Sequence, residues 1–169
     1  VPSTLSNEWF SIIRTITCSN GTVDPTMPFD HVIVLMMENH SFDNVLGTLS
    51  RHGQPHAEGL KFSSTGVALN SNPGPNGAVR SFPIPTTAQP PGGVDQSWNA
   101  THEQIDGGRM DGFVRSVGEN APMGYWTPEV LPFINSLART FCLANRWFCS
   151  APCQTYPNRR FLMAGTAYG

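Results

Sequence analysis

Glu38 and Asn39 follow directly on a run of six apolar residues, 32–37. The run begins with β-branched side chains and predicts a strand that is buried on both faces of a parallel sheet. Open α/β sheets bind ligands beyond the carboxyl ends of their strands, and a carboxylate beside an amide oxygen suits a hard divalent cation. Glu38 and Asn39 are therefore candidate metal ligands. The alternative is that they only turn the chain toward solvent.

Thr155 is the second candidate, because it precedes Tyr156 and Pro157. A proline suits the first turn of a helix, so the Thr155 hydroxyl is expected to face the positive end of that helix. Such a position binds phosphate and lowers the cost of an alkoxide. The alternative is an ordinary N-cap threonine without a chemical role.

His102 is the third candidate, four residues after Trp98. This spacing predicts that the two rings share one face of a helix. A histidine can donate to a phosphate oxygen or act as a general acid. The alternative is a surface or packed histidine.

Several elements are expected to position these residues. Ser41 can cap a short helix that contains Phe42, Val45 and Leu46 and ends at Gly47. Residues 143–148 are expected to form a second core strand, and another helix is expected to begin around residues 161–165. A helix is also predicted in the stretch from Thr127, with Pro128 or Pro132 in its first turn. Its apolar face is made of Val130, Phe133, Ile134, Leu137, Ala138 and Phe141.

The order of these elements sets the fold class. Strand, loop and helix recur along the chain, which indicates an α/β fold with a mostly parallel sheet. Residues 63–93 are rich in Pro and Gly and show no hydrophobic period, so we expect a loop-rich insertion at the surface.

The composition excludes several classes of protein. Ten Lys and Arg against 12 Asp and Glu give a net charge of −2, which argues against nucleic acid as a partner. The chain has no apolar run of 18 residues that could span a bilayer. An apolar fraction of 39% is too high for a wholly disordered chain, and 169 residues suffice for one core.

The four cysteines favour disulfide bridges in an exported protein over a zinc site, because no pair of histidines accompanies their spacing. The sequence leaves the pairing open. Asn20 and Asn99 begin glycosylation sequons. We therefore expect a secreted, periplasmic or cell-surface protein, and a glycoprotein where the host glycosylates. The cysteines are Cys18, Cys142, Cys149 and Cys153.

Four ordered blocks resemble the signatures of the secreted phosphoesterase family, which contains non-specific phospholipases C and an acid phosphatase branch. Residues 38–47 read E-N-H-S-F-D-N-V-L-G, similar to E-N-R-S-F-D-x-x-x-G. Residues 98–113 carry W-x3-H and G-G-R-M-D-G-F. Residues 123–138 carry M-G-Y, L-P-F and L-A, and residues 147–159 carry W-F-C-S and T-Y-P-N-R.

The resemblance implies an alkaline-phosphatase-like fold, in which a largely parallel sheet lies between helical layers. It implies that Glu38, Asn39 and Thr155 are ligands of a divalent metal ion, whose identity is left open. It also implies that Thr155 is the nucleophile, that His102 lies near the transferred phosphoryl group, and that Asn158 binds substrate. The expected substrates are phospholipids, with transient contact to a membrane surface, or soluble phosphomonoesters.

The chain departs from the family pattern near the candidate site. His40 stands where the family has Arg, and Asn44 where His is common. Gln96 also stands where His is frequent, and Cys153-Gln154 replaces a Gly-Pro pair before the nucleophile.

The length of the chain sets a further expectation. Family members run to several hundred residues, and their remaining acidic metal ligands follow the nucleophile block. We therefore expect residues 1–169 to be the N-terminal part of one phosphoesterase catalytic domain, with an incomplete fold and the C-terminal half as a partner. The competing hypothesis is a non-catalytic secreted glycoprotein or binding module that keeps the fold.

Overall fold

The computed structural model describes residues 33–37, 40–88 and 94–168. Short 3₁₀ helices at Leu49–Arg51, Asp106–Gly108 and Ala121–Met123 connect the longer elements. The helices and strands are, in chain order, α1 (Phe42–Leu46), β1 (Ser71–Gly74), β2 (Gly77–Arg80), β3 (Phe82–Pro83), α2 (Trp98–Ile105), α3 (Phe113–Val117), β4 (Gly124–Tyr125), α4 (Pro132–Thr140) and α5 (Thr155–Ala164).

Helix α1 forms as its sequence predicts. The Ser41 hydroxyl accepts from the backbone N–H of Asn44, and the Asn44 side chain accepts from the backbone N–H of Ser41. This reciprocal pair is a capping box, which satisfies two backbone donors that a helix start otherwise leaves open. Val45 and Leu46 are buried, and the helix ends at Gly47.

Helix α4 is present and begins at Pro132, so Pro132 and not Pro128 lies in its first turn. Residues 127–131 form a turn instead, since the N–H groups of Val130 and Leu131 both donate to the Thr127 carbonyl. The buried face of α4 includes Asn135 and Ala138. Phe133 lies two residues before Asn135, about 200° away around the helix, and is therefore 71% exposed.

The region 63–93 contains more structure than the loop that its composition predicted. Strands β1 and β2 pair antiparallel, with Ser71 opposite Arg80 and Gly74 opposite Gly77. Gly77 has a φ of 117°, which only glycine adopts easily, so this residue closes the tight hairpin. β3 then pairs in parallel with the distant β4.

The two expected core strands do not form among the described residues. Residues 33–37 are irregular, with Ile33 88% and Leu35 73% exposed. Residues 143–148 are also irregular, and Trp147 and Phe148 are exposed. A strand needs a hydrogen-bonded neighbour, and no described residue pairs with either segment. The architecture is α/β with small sheets, and a broad parallel sheet between helical layers is not confirmed.

The core consists of two adjoining clusters that meet at β4. Tyr125 belongs to one cluster and Trp126, the next residue, to the other. Burial of a leucine such as Leu46 stabilises the fold by about 2 kcal/mol. Trp126 also donates its indole N–H to the Thr86 carbonyl at 2.9 Å. The buried members are Val45, Leu46, Leu49, Trp126 and Ala138 in the first cluster, and Leu60, Ala68 and Tyr125 in the second.

The structure bears on the expected disulfides and on the absence of a membrane span. No disulfide joins Cys142, Cys149 and Cys153 to one another, and Cys18 lies outside the described residues. In the part of the chain that is described, every helix is too short or too polar to cross a bilayer.

Candidate functional site

Thr155 is the first residue of α5, and Gln154 occupies the N-cap position. Neither the Thr155 hydroxyl nor the backbone N–H groups of Thr155 and Tyr156 hydrogen-bond to another described residue. The interpretation of Thr155 as an N-cap is therefore wrong. A half-buried hydroxyl lies at the positive end of a ten-residue helix, next to backbone donors that can receive an anion.

Asn158 holds the loop that precedes this helix. Its side-chain oxygen accepts from the Ala151 N–H at 3.0 Å. Its amide nitrogen donates to the carbonyls of Ala151 at 3.0 Å, Cys153 at 3.1 Å and Gln154 at 3.3 Å. Asn158 is only 4% exposed, so its observed contacts are to the loop, and its contact with substrate stays a prediction. The position of Thr155 depends on this amide.

The Cys153-Gln154 pair is compatible with the same loop. Asn158 binds backbone carbonyls at both positions, and a carbonyl is present whatever the side chain. The Cys153 side chain is buried, with its sulfur 3.8 Å from the Asn158 nitrogen, whereas Gln154 is exposed. Replacement of the family's Gly-Pro pair therefore leaves the start of α5 intact.

His102 lies on α2 beside Trp98, as the four-residue spacing predicts. The two ring centroids are 4.2 Å apart, and His102 Nδ1 lies 2.8 Å from the Trp98 carbonyl oxygen. A carbonyl can only accept, so Nδ1 carries the proton and Nε2 is the nitrogen left for other partners. Helix α2 packs on α3, and within the described residues it makes no extensive contact with α5. The described structure therefore has no packed α2–α5 interface that would hold His102 against Thr155.

Glu38 and Asn39 lie outside the described residues, so the structure does not test them as metal ligands. The described residues themselves contain no group of three or more His, Cys, Asp or Glu side chains that could hold a metal ion. His40 directly follows the pair in sequence, and its ring packs edge-on against Trp126 with centroids 4.5 Å apart.

Asn44 was noted in the sequence only as a departure from the family, but it connects two of the four blocks. Its side-chain amide nitrogen donates to the Gly124 carbonyl at 2.6 Å. Its backbone carbonyl accepts from the Trp126 backbone N–H at 2.7 Å. These bonds join α1 to β4 across some eighty residues of sequence. Asn44 thereby fixes the helix that follows Glu38 and Asn39.

The G-G-R-M-D-G-F segment is held by ion pairs between charged side chains. Arg109 pairs with Asp106 at 2.5 Å, and Arg115 pairs with the same carboxylate at 3.3 Å. The hydrogen bond from Arg109 holds the pKa of Asp106 below its usual value, and smaller hydrogen bonds with Asp111 and Arg115 act in the same direction. Asp106 and Met110 have positive φ angles of 45° and 59°, so this network holds a strained turn.

Asn72 of β1 connects this turn to the hairpin. It donates to the Met110 carbonyl at 3.4 Å and accepts from the Phe113 N–H at 2.8 Å. A cavity of about 120 Å³ lies nearby, lined by α1, β1, β4 and the segment from Arg109 to Phe113. Three of the four blocks therefore meet at one cavity, and Thr155 is not among its lining residues. In the sequence, this turn is indicated by Gly107 and Gly108 between the charged residues Asp106 and Arg109.

Comparison with known proteins gives a consistent result. A family model described as "Phosphoesterase family" matches residues 29–169. Non-specific phospholipase C1 of Arabidopsis thaliana is 32% identical over 84% of this chain and 28% of its own length. Non-hemolytic phospholipase C of Pseudomonas aeruginosa is 29% identical over 81% of this chain and 20% of its own length. Phospholipase C B of Mycobacterium tuberculosis is 30% identical over 80% of the chain, which spans 29% of that relative.

Proposed function

The chain belongs to the phosphoesterase family, and we propose that it contributes the nucleophile of an enzyme that hydrolyses phosphate esters. The single observation that carries this proposal is the position of Thr155 at the start of α5, with its hydroxyl and two backbone N–H groups open to a ligand. The chain spans about a third or less of the curated relatives it matches, so activity and substrate are proposed for the whole protein.

The proposed reaction has two steps. The Thr155 hydroxyl loses its proton to water, its oxygen attacks phosphorus, the P–O bond to the leaving alcohol breaks, and a phosphothreonine forms. Water then attacks the same phosphorus, releases phosphate or a phosphorylated head group, and returns the hydroxyl to Thr155. The backbone N–H groups at the start of α5 bind the phosphoryl oxygens, whose negative charge they stabilise in both steps.

Asn158 acts as a positioning residue in this scheme. Its four hydrogen bonds fix residues 151–154, and thereby the direction in which the Thr155 hydroxyl leaves the helix. A nucleophile must be held close to its in-line geometry, and small displacements slow the reaction strongly.

We assign the proton transfer to His102. Its Nε2 atom can donate to the leaving oxygen when the ring is protonated, while Nδ1–H remains bonded to the Trp98 carbonyl. In the described structure α2 and α5 are not packed together, so this role needs the two helices to face one substrate in the complete enzyme.

A divalent cation fits the donor chemistry. Glu38, Asn39 and Thr155 would hold it, and the Thr155 hydroxyl has no competing hydrogen bond among the described residues. When bound, such an ion supplies positive charge that favours the ionised threonine and the developing phosphoryl charge.

Phospholipids are the proposed substrate class, because relatives at about 30% identity carry the name phospholipase C. Soluble phosphomonoesters are the second candidate, because Thr155 is only half-buried between exposed Gln154 and Tyr156, and a small phosphoryl group can reach the start of α5.

The experiment is a comparison of Thr155→Ala, Thr155→Ser and Thr140→Ala in the full protein, with a chromogenic phosphodiester as substrate. Thr155→Ala is expected to lower turnover by several orders of magnitude, as loss of other covalent nucleophiles does, and Thr155→Ser is expected to keep measurable activity. Thr140 is an exposed residue of α4, so its variant should match the wild type. Turnover of Thr155→Ala equal to the wild type would remove Thr155 from the mechanism.

A further inference from the structure

A wide groove of about 840 Å³ lies apart from every candidate catalytic residue. It is lined by residues 50–51, 57–63 and 69–70 together with Arg146. None of Thr155, Asn158 and His102 contributes to its walls. The groove is therefore separate from the candidate catalytic site.

The groove is strongly cationic for a chain of net charge −2. Four charged residues of the described part of the chain line it: the cations are Arg51, Lys61 and Arg146, and the one acid is Glu58. Arg146 pairs with Glu58, with Nε 2.9 Å from a carboxylate oxygen, and this bond lowers the pKa of Glu58. Arg51 and Lys61 then leave a net positive charge in the groove.

Arg51 and Lys61 present that charge in different ways. The Arg51 guanidinium lies 4.9 Å from the centre of the Phe62 ring and donates to the Gly66 carbonyl at 3.4 Å, so it is held at the rim. Lys61 is exposed, and its ammonium group makes no hydrogen bond or ion pair with another described residue. It is also the only lysine of the 169 residues. An anion can reach both groups without displacing a carboxylate.

Apolar side chains accompany the cations. Phe62 and Ala68 pair in an isolated antiparallel β-bridge. Side chains alternate in direction along an extended backbone, so Ala68 is buried while its neighbours Val67 and Leu69 face water. Val67 is 51% exposed and Leu69 is 48% exposed. Two aliphatic side chains thus project beside the cationic groove.

We propose that this groove and its aliphatic rim dock the protein on an anionic phospholipid surface. Lys61 and Arg51 would contact head-group phosphates, while Val67 and Leu69 enter the interfacial layer. A soluble phosphate ion would use the cations alone, whereas a bilayer also covers the exposed aliphatic side chains. The choice of phospholipid as the partner rests on the proposed function.

The test is sedimentation of the full protein with phosphatidylcholine vesicles that do or do not contain phosphatidylglycerol. Each basic side chain near an anionic surface strengthens binding by about fivefold, so Lys61→Gln should weaken binding to the anionic vesicles by that factor. Arg80→Gln is the matched control, because Arg80 is exposed on β2 outside the groove and its loss changes the net charge equally. Leu69→Ser should also weaken binding, without any change of charge.

Two results would overturn the proposal. Equal weakening by Lys61→Gln and Arg80→Gln would mean that overall charge, and not the groove, attracts the protein. Absence of vesicle binding by the wild type, together with binding of inorganic phosphate that Lys61→Gln abolishes, would mean that the groove holds a soluble anion. Hydrolysis of a soluble phosphodiester by the wild type is measured in parallel, so a failure of the proposed function is seen separately from a failure of docking.

Discussion

Replacement of Asn44 by alanine is expected to destabilise the fold by about 2–3 kcal/mol. One part of this is the capping box, in which the Asn44 oxygen accepts from the Ser41 N–H at 3.1 Å. Loss of such a cap costs about 1 kcal/mol. The other part is the bond from the Asn44 amide to the carbonyl of buried Gly124 at 2.6 Å. A buried acceptor that loses its donor costs about 1–2 kcal/mol more.

Asn44→Asp separates these two contributions. The introduced carboxylate still accepts from Ser41 and lies at a favourable place in the first turn of α1, but it has no proton for the Gly124 carbonyl. We therefore expect Asn44→Asp to lose only the second contribution at neutral pH, about 1–2 kcal/mol, and to be less destabilised than Asn44→Ala. Protonation of the new carboxyl restores a donor, so its folded pKa is raised. Stability is then recovered below a pH of about 4 and lost as pH rises through the folded pKa.

The assay is urea unfolding of the full protein at neutral and at acid pH, with Asn120→Ala as the control. Asn120 is exposed and its side chain makes no hydrogen bond to another described residue, so its variant should stay within about 0.5 kcal/mol of the wild type. If Asn44→Asp matches the wild type at neutral pH, the bond to Gly124 contributes nothing and the reasoning fails.

Two further predictions concern charged residues. Glu38→Gln should lower the metal content of the purified protein before it affects folding, whereas Glu119→Gln, an exposed control, should not; equal content by elemental analysis would exclude Glu38 as a ligand. Asp106→Asn should destabilise the protein at neutral pH but not in acid, because Arg109 and Arg115 lower the folded pKa of Asp106. That stabilisation is present above the unfolded value of 3.8 and is lost as pH falls through the folded pKa. An identical difference in unfolding free energy at every pH would contradict this prediction.

Local features of the fold and the site could be predicted from the sequence. Ser41 and Gly47 bound α1 as expected, and His102 stacks on Trp98. A helix does begin at Thr155, although Gln154 is its N-cap. Each of these features depends on residues within one or two turns of each other, so propensity and spacing were sufficient evidence.

Features that depend on distant pairing could not be predicted in the same way. An apolar run such as residues 32–37 indicates that burial of the segment is favourable. A strand also needs a neighbouring strand to complete its backbone hydrogen bonds. The contacts of Asn44 with Gly124 and of Asn72 with Phe113 join segments that no local pattern connects. The parallel pairing of β3 with β4 is of the same kind, because two-residue strands leave almost no trace in the sequence.

The loop before α5 has a consequence for how this fold can vary and be engineered. Every bond that Asn158 makes to the loop falls within seven residues of chain, so the hydrogen bonds that shape the turn before Thr155 are local to residues 151–158. Such a segment should keep these bonds when grafted ahead of a helix in another scaffold that also buries Cys153 and Asn158. Substitutions outside this segment can therefore change the residues around Thr155 while the Asn158 hydrogen bonds keep the turn before it.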